Sequence, residues 1–161
     1  MISEEVRKML LQDDDGQIFV SSENVANLNL NNNLNHAVLV LSKIGYNAIP
    51  VLDNESHIRG LISMSMIMNA IMGLDAIRFE ALETLKVKDV MDTNVPIVDE
   101  SDELEDVLRN LIDHSFLCLA DEQGVFKGIV TRKEILSRVN HLVHEIHNQY
   151  TLLVKETSNA K

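Results

Sequence analysis

Ala48-Ile49-Pro50-Val51-Leu52-Asp53, four more residues, then Ile58-Arg59-Gly60-Leu61-Ile62-Ser63 is the stretch that decides the fold, because the chain writes it twice. The second copy reads Phe116-Leu117-Cys118-Leu119-Ala120-Asp121, four residues, then Phe126-Lys127-Gly128-Ile129-Val130-Thr131. From Asp53 to Ser63 and from Asp121 to Thr131 the two align without a gap. Each copy is an apolar strand, a polar turn, a second apolar strand, and a hydroxyl residue that opens a helix. Half of a 161-residue chain is too small to close a core alone. Two copies packed face to face can do so, and the cleft between them is the natural place for a ligand.

The totals narrow the function. An apolar fraction of 45% supports a core, and two prolines and six glycines exclude a disordered or fibrous chain. No apolar run approaches the roughly 20 residues that span a bilayer, and the acidic start does not suit a secretion signal. A single cysteine, Cys118, makes no internal disulfide, so a cytoplasmic location is expected. A net charge of −11 opposes general binding to nucleic acid or to an anionic membrane. Lys127, Arg132, Lys133 and Arg138 are the local exception, gathered around the start of the helix after the second copy. Backbone N–H groups at a helix start already favour anions.

Outward from the repeat, residues 2–11 have helical spacing and end at Asp13-Asp14-Asp15-Gly16, read as a turn without metal. Gln17–Val20 and Val25–Leu30 read as extended. A helix follows with Leu34, Ala37, Val38, Leu41 and Ile44 inward, and Gly45 is expected as its left-handed cap. Ser63 caps a helix from Met64 to about Gly73, whose methionines read as core filling rather than docking surface. A connecting helix is expected from Asp75 to about Leu85. The second copy opens at Val87–Met91, and a strand at Ile97-Val98 precedes a helix capped by Ser101 or Asp102, with Leu104, Val107, Leu108, Leu111 and Ile112 inward. The last helix runs from Arg132 to about Lys155, and its stripe, through Ile135, Leu136, Val139, Leu142, Val143, Ile146, Tyr150, Leu153 and Val154, is longer than a half-domain can cover. Its far end is expected to pack on a second subunit or an effector.

A duplicated β–α–β–β–α unit with Gly-h-h-[Ser/Thr] resembles the CBS domain, and a tandem pair resembles the Bateman module. The implied fold is α/β (α+β): repeat 1 over residues 17–78, repeat 2 over 84–140, and an extended C-terminal helix over 132–157. The tract Gly45–Asp53, with Met66-Ile67-Met68-Asn69, resembles the small Firmicutes CBS proteins that bind cyclic di-AMP, the CbpB or DarB group. The resemblance implies a homodimer and a protein effector, a bifunctional (p)ppGpp synthetase–hydrolase.

Chemistry adds to the resemblance. An adenine needs apolar walls and backbone groups at its edge, which Val25, Ala26, Tyr46, Asn47, Ala48, Ile49 and Pro50 supply, with Ile129 facing them. Tyr46 either stacks on a base or plugs the core. Thr131, Arg132, Lys133 and Glu134 suit ribose and phosphate, with Arg132 able to grip a phosphate bidentately. CBS modules that bind AMP or ATP usually carry Asp three residues after the Ser/Thr; here those positions are Met66 and Glu134. Cyclic di-AMP, with one free hydroxyl per ribose and two charges, suits this set better than AMP. Asn24 stands where the resembled group often has a basic residue. No Gly-x-Gly-x-x-Gly or Walker loop occurs. His144-Glu145-Ile146-His147 has its histidines three apart, and with His141 they read as the wet side of the last helix. The expectation is a non-enzymatic sensor of cyclic di-AMP without a cofactor. An AMP or ATP energy sensor and a constitutive dimeric adaptor remain as alternatives.

Overall fold

The computed structural model describes residues 2, 4–11, 18–149 and 151, without the side chains of 147 and 149. Asp13-Asp14-Asp15-Gly16, Gln17 and the stripe positions Tyr150, Leu153 and Val154 lie outside these residues, as do the His147 side chain and the expected helix end near Lys155.

Helix α1 (Glu4–Leu11) precedes the repeats. The first copy supplies β1 (Val20–Ser21), β2 (Leu28–Asn29), α2 (Leu34–Leu41), β3 (Ala48–Leu52), β4 (Ile58–Ser63) and α3 (Met64–Ile71). After a short α4 (Ala81–Thr84), the second copy supplies β5 (Ile97–Val98), α5 (Leu104–Asp113), β6 (Phe116–Ala120), β7 (Phe126–Thr131) and α6 (Arg132–Gln149). The expected mixed fold of two β–α–β–β–α repeats, flanked by N- and C-terminal helices, is what forms.

The central strands β3 and β6 are apolar almost throughout because both faces of each sheet are covered. In the first sheet β3 lies between β2, parallel, and β4, antiparallel. In the second, β6 lies between β5 and β7 in the same way. The fourth strand of the second sheet is borrowed: β1, from the first repeat, pairs with β7, Val20 facing Ile129. The exchange is reciprocal, since Asp92 at the entry of the second repeat bridges Leu61 of β4 through bonds of 2.8 and 2.9 Å. Each repeat therefore lends its leading segment to the other's sheet. That exchange explains the glycine of the repeated motif. A Cβ on Gly128 would overlap the Val20 carbonyl, and one on Gly60 would sit 2.8 Å from the Asp92 carbonyl. The backbones meet where the side chain is missing.

Three clusters make the interior. Leu28, Leu34, Ala37, Ile49, Val51, Ile62 and Ile67 fill the first repeat. Val98, Val107, Leu111, Leu117, Leu119 and Val130 fill the second. Val25, Leu52, Phe116, Cys118, Phe126 and Ile129 join the two sheets. The hairpin turns also meet: the Ile58 N–H donates to the Gly124 carbonyl at 3.3 Å and the Phe126 N–H to the Ser56 carbonyl at 2.9 Å.

Several local expectations are corrected. Gly45 is not left-handed: α2 ends at Leu41, and Ser42, still helical in its dihedrals, closes it. Helix α3 stops at Ile71 because Arg78 folds back, its N–H on the Ile71 carbonyl at 2.8 Å and its guanidinium on the Ala70 carbonyl at 3.2 Å. That reversal leaves only Ala81–Thr84 helical in the expected Asp75–Leu85 connection. Neither Ser101 nor Asp102 caps α5. Both are bound to Asp99 in a turn of their own, and Glu103 precedes the helix without a side-chain capping bond. Ile112, expected inward, is exposed.

Candidate functional site

The strand exchange decides which residues can share a cleft. Because β1 runs antiparallel to β7, with Val20 on Ile129 and Ser21 on Gly128, the turn Ser22–Asn24 continues toward the Lys127 end of β7, away from Thr131 where α6 opens. Val25, Ala48 and Ile129 belong to one apolar cluster. Ala26 and Ile49 turn the other way and join the first repeat's core, and Pro50 is fully buried. Tyr46, at 44% exposure, does not plug the core, and Asn24 and Asn47 are exposed too. Of the residues expected at the cleft, the structure brings Val25 and Ala48 of the first copy together with Ile129 of the second.

Pro50 has a consequence that its counterpart reveals. In the second repeat the Cys118 N–H donates to the Pro96 carbonyl at 2.9 Å. The registers Leu28–Val51 and Val98–Leu119 make Ala26 the equivalent of Pro96, and Pro50 the equivalent of Cys118. Proline has no N–H, so the Ala26 carbonyl lacks that bond. Ala26 also keeps an N–H, which Pro96 does not have. The first-repeat edge presents both a donor and an acceptor; the second-repeat edge has neither to spare.

The basic cluster is mostly committed. Thr131 Oγ1 caps α6 by accepting from the Glu134 N–H at 3.1 Å, as Ser63 does for α3 with Met66 at 3.2 Å. Arg132 does not extend a free fork toward the cleft. Its Nε donates to the Leu111 carbonyl at 2.8 Å, and its Nη2 donates to those of Ile112 and His114 at 3.1 and 3.0 Å. Those are the last, otherwise unmet acceptors of α5, at the negative end of its dipole. Lys127 Nζ pairs with Asp121 at 3.0 Å, and Arg138 Nε with Glu134 at 3.1 Å. Lys133 is exposed and, among the described residues, has no ion-pair partner. The spacing of the four cations does not reveal this division, because most of the acceptors lie on other elements.

Other ionisable groups serve the scaffold. Burial works against the charge of Asp53, but the N–H groups of His57 and Glu55 and the Arg59 guanidinium hold its pKa down to about 2. The Lys127 ammonium and the Val125 and Gln123 N–H groups lower Asp121 in the same way. Asp53, Glu55 and His57 approach one another within 4.8 Å, a grouping the sequence reading missed, yet Asp53 is already occupied by its turn and by Arg59. Burial pushes the Cys118 thiol up to about 12, so it stays protonated at neutral pH. His141 and His144 are on the exposed side of α6. No helix among the described residues is long and apolar enough to cross a membrane.

Comparison with known proteins follows the duplication. The CBS domain model matches twice, at residues 13–73 and 87–141. Cyclic di-AMP receptor B of Bacillus subtilis (strain 168) is 39% identical over 138 residues, covering 86% of this chain and 94% of that protein. Listeria monocytogenes CbpB, solved in complex with cyclic di-AMP, is 48% identical with a TM-score of 0.75, over 83% of this chain and 97% of that one. CbpB from Streptococcus agalactiae is 28% identical with a TM-score of 0.83, over 96% of both chains. On both its repeats and its relatives, this chain belongs to the CBS-domain family, as a tandem pair similar to the CbpB proteins.

Proposed function

We propose that the composite cleft binds cyclic di-AMP and that the protein is a non-enzymatic sensor of that nucleotide. The observation that carries this reading is the Listeria relative, which holds cyclic di-AMP at 48% identity across most of the chain. The geometry supports it. Val25, Ala48 and Ile129 offer an apolar floor, and Tyr46 a stacking face at the rim. The N–H and carbonyl of Ala26 suit the donor and acceptor edge of adenine. In this reading Asn24, Asn47, Thr131 and Glu134 meet the ribose hydroxyls, and Lys133 a phosphate. Arg132 contributes by holding α5 against the start of α6 rather than by gripping phosphate. Ile49 and Pro50 set the cleft wall from behind.

The output would be a change in what the protein binds. Leu136 and Val143 on α6 are exposed apolar residues of the kind that a second copy or an effector covers. By resemblance, the effector is a (p)ppGpp synthetase–hydrolase. Thermal melts with cyclic di-AMP, AMP, ATP and cyclic di-GMP test the ligand, since about 100 times Kd of a native-state ligand adds roughly 2.7 kcal/mol of stability. Cyclic di-AMP is expected to raise the melting point most. A response to AMP and ATP without one to cyclic di-AMP would replace this reading with an energy sensor, and silence toward all four would favour an adaptor.

A further inference from the structure

We propose that Arg138 is a positioning residue that passes the state of the cleft to the N-terminal helix. The inference rests on the reading of the cleft as a cyclic di-AMP site. Arg138 is 8% exposed, and a guanidinium taken out of water needs its charge and its donors answered. Its Nε donates to Glu134 Oε1 at 3.1 Å, one turn back along α6. Its Nη1 donates to the Leu10 carbonyl at 3.2 Å, a contact made across 128 positions of sequence. Leu10 is the buried residue of α1, and its carbonyl is in the last turn, at the negative end of that helix. A second tie from α1, Arg7 to Glu103 at 3.8 Å, is exposed, and exposed pairs contribute little.

Glu134 is the hinge of this arrangement. Its backbone is fixed by Thr131, while its side chain is 41% exposed and stands three residues after Thr131, among the residues assigned to the proposed cleft. A ribose hydroxyl donating to one carboxylate oxygen leaves Oε1 on Arg138 and restricts the side chain to the rotamer that makes both bonds. Fixing Glu134 fixes Arg138, and fixing Arg138 secures the end of α1. The first repeat has no such device. Met66 and Ala70 occupy the matching places on α3, and neither carries charge. The link between ligand and N-terminal helix is therefore a property of the second copy alone.

Hydrogen exchange of the full-length protein, with and without cyclic di-AMP, reads both ends of the link. In the wild type, ligand is expected to slow exchange in residues 46–52 and in residues 4–11 together. Arg138→Gln should retain the slowing at 46–52, lose it at 4–11, and bind cyclic di-AMP about tenfold more weakly, the scale of one charge-assisted hydrogen bond. Arg138→Lys, which keeps the charge and one donor, should restore part of the response at 4–11; a merely structural role for Arg138 would alter exchange at 4–11 without making it ligand-independent. If Arg138→Gln does not fold, Glu134→Gln cuts the same link from the other side and should give the same loss at 4–11. Slowing at 46–52 with residues 4–11 unmoved in the wild type, or moved equally in the variants, overturns the coupling alone. No slowing at 46–52 in the wild type overturns the cleft reading, and the coupling with it.

Discussion

At position 50 the first repeat has a proline; at the matching position 118 the second has a cysteine whose N–H is bonded to the Pro96 carbonyl at 2.9 Å. At the helix starts the difference runs the other way. Ser63 is followed by Met64, Ser65 and Met66, and Thr131 by Arg132, Lys133 and Glu134. The pairings of β2–β4 and β5–β7, the turn bonds at Asp53 and Asp121 and the caps at Ser63 and Thr131 coincide between the copies, so these substitutions act on a shared frame. The first repeat keeps its backbone edge open and the second supplies the charge. On the proposed reading of the cleft, neither half alone is a complete nucleotide site.

The frame itself gives the largest expected effect. If the crossings at Gly60 and Gly128 hold the repeats together, Gly128→Ala should cost at least about 3 kcal/mol, because the obstruction is backbone from the borrowed strand. Gly60→Ala should cost about 1–3 kcal/mol, since Met91 can move aside but the Asp92 carbonyl at 2.8 Å cannot move freely. Urea melts of the two variants measure both values. Equal and small losses would mean that the crossing segments do not anchor the fold.

The repeat made this frame legible from the sequence: the strands, the caps at Ser63 and Thr131, and the buried Cys118 all follow from local pattern. What the pattern could not show was partnership across elements. Arg132, Lys133 and Arg138 look alike in sequence, and only the fold reveals that one closes α5, one is open and one is buried beneath α1. The expected Asp75–Leu85 helix failed for a related reason. Its propensity was outweighed by tertiary bonds that draw Arg78 back onto α3. The open carbonyl of Ala26 was hidden too, since a proline's missing donor has meaning only once its neighbour is known.

Charge on the second side can be separated into structure and binding. Arg132→Ala removes three bonds to the end of α5 and is expected to lower stability by about 1–2 kcal/mol. Lys133→Ala should leave the melting point of the free protein nearly unchanged and weaken cyclic di-AMP instead. Titration calorimetry alongside melts of both variants distinguishes them. The opposite assignment, with Arg132→Ala silent in stability and severe in binding, would return the phosphate to Arg132. On the first side, Pro50→Ala restores an N–H that can close onto the Ala26 carbonyl. It should weaken cyclic di-AMP by about tenfold, the value of one lost hydrogen bond, with little effect on stability. Unchanged affinity would show that the ligand does not use that carbonyl.

The smallest effect tests the one place where the second repeat is the better fitted of the two. Ser56 has φ of 66°, in the left-handed region, and the matching residue of the second turn is Gly124, with φ of 83°. Both positions are pinned by the contact between the turns, through which the Ser56 carbonyl accepts from Phe126 and the Gly124 carbonyl from Ile58. A residue with a Cβ costs roughly 1–2 kcal/mol in that conformation, while glycine gives back about 0.4–1 kcal/mol through the greater freedom of the unfolded chain. Ser56→Gly should therefore stabilise by about 0.5 kcal/mol, a rise of roughly 2 °C in Tm. Gly124→Ser should destabilise by a similar amount, because a Cβ there meets its nearest neighbour, the His57 ring, at an ordinary 3.9 Å, and only the backbone objects. Opposite signs from the two exchanges would show that the turns are equivalent in backbone and unequal only in fit. Two losses would mean instead that the Ser56 side chain has a role of its own, and that the turns, like the cleft, divide their work.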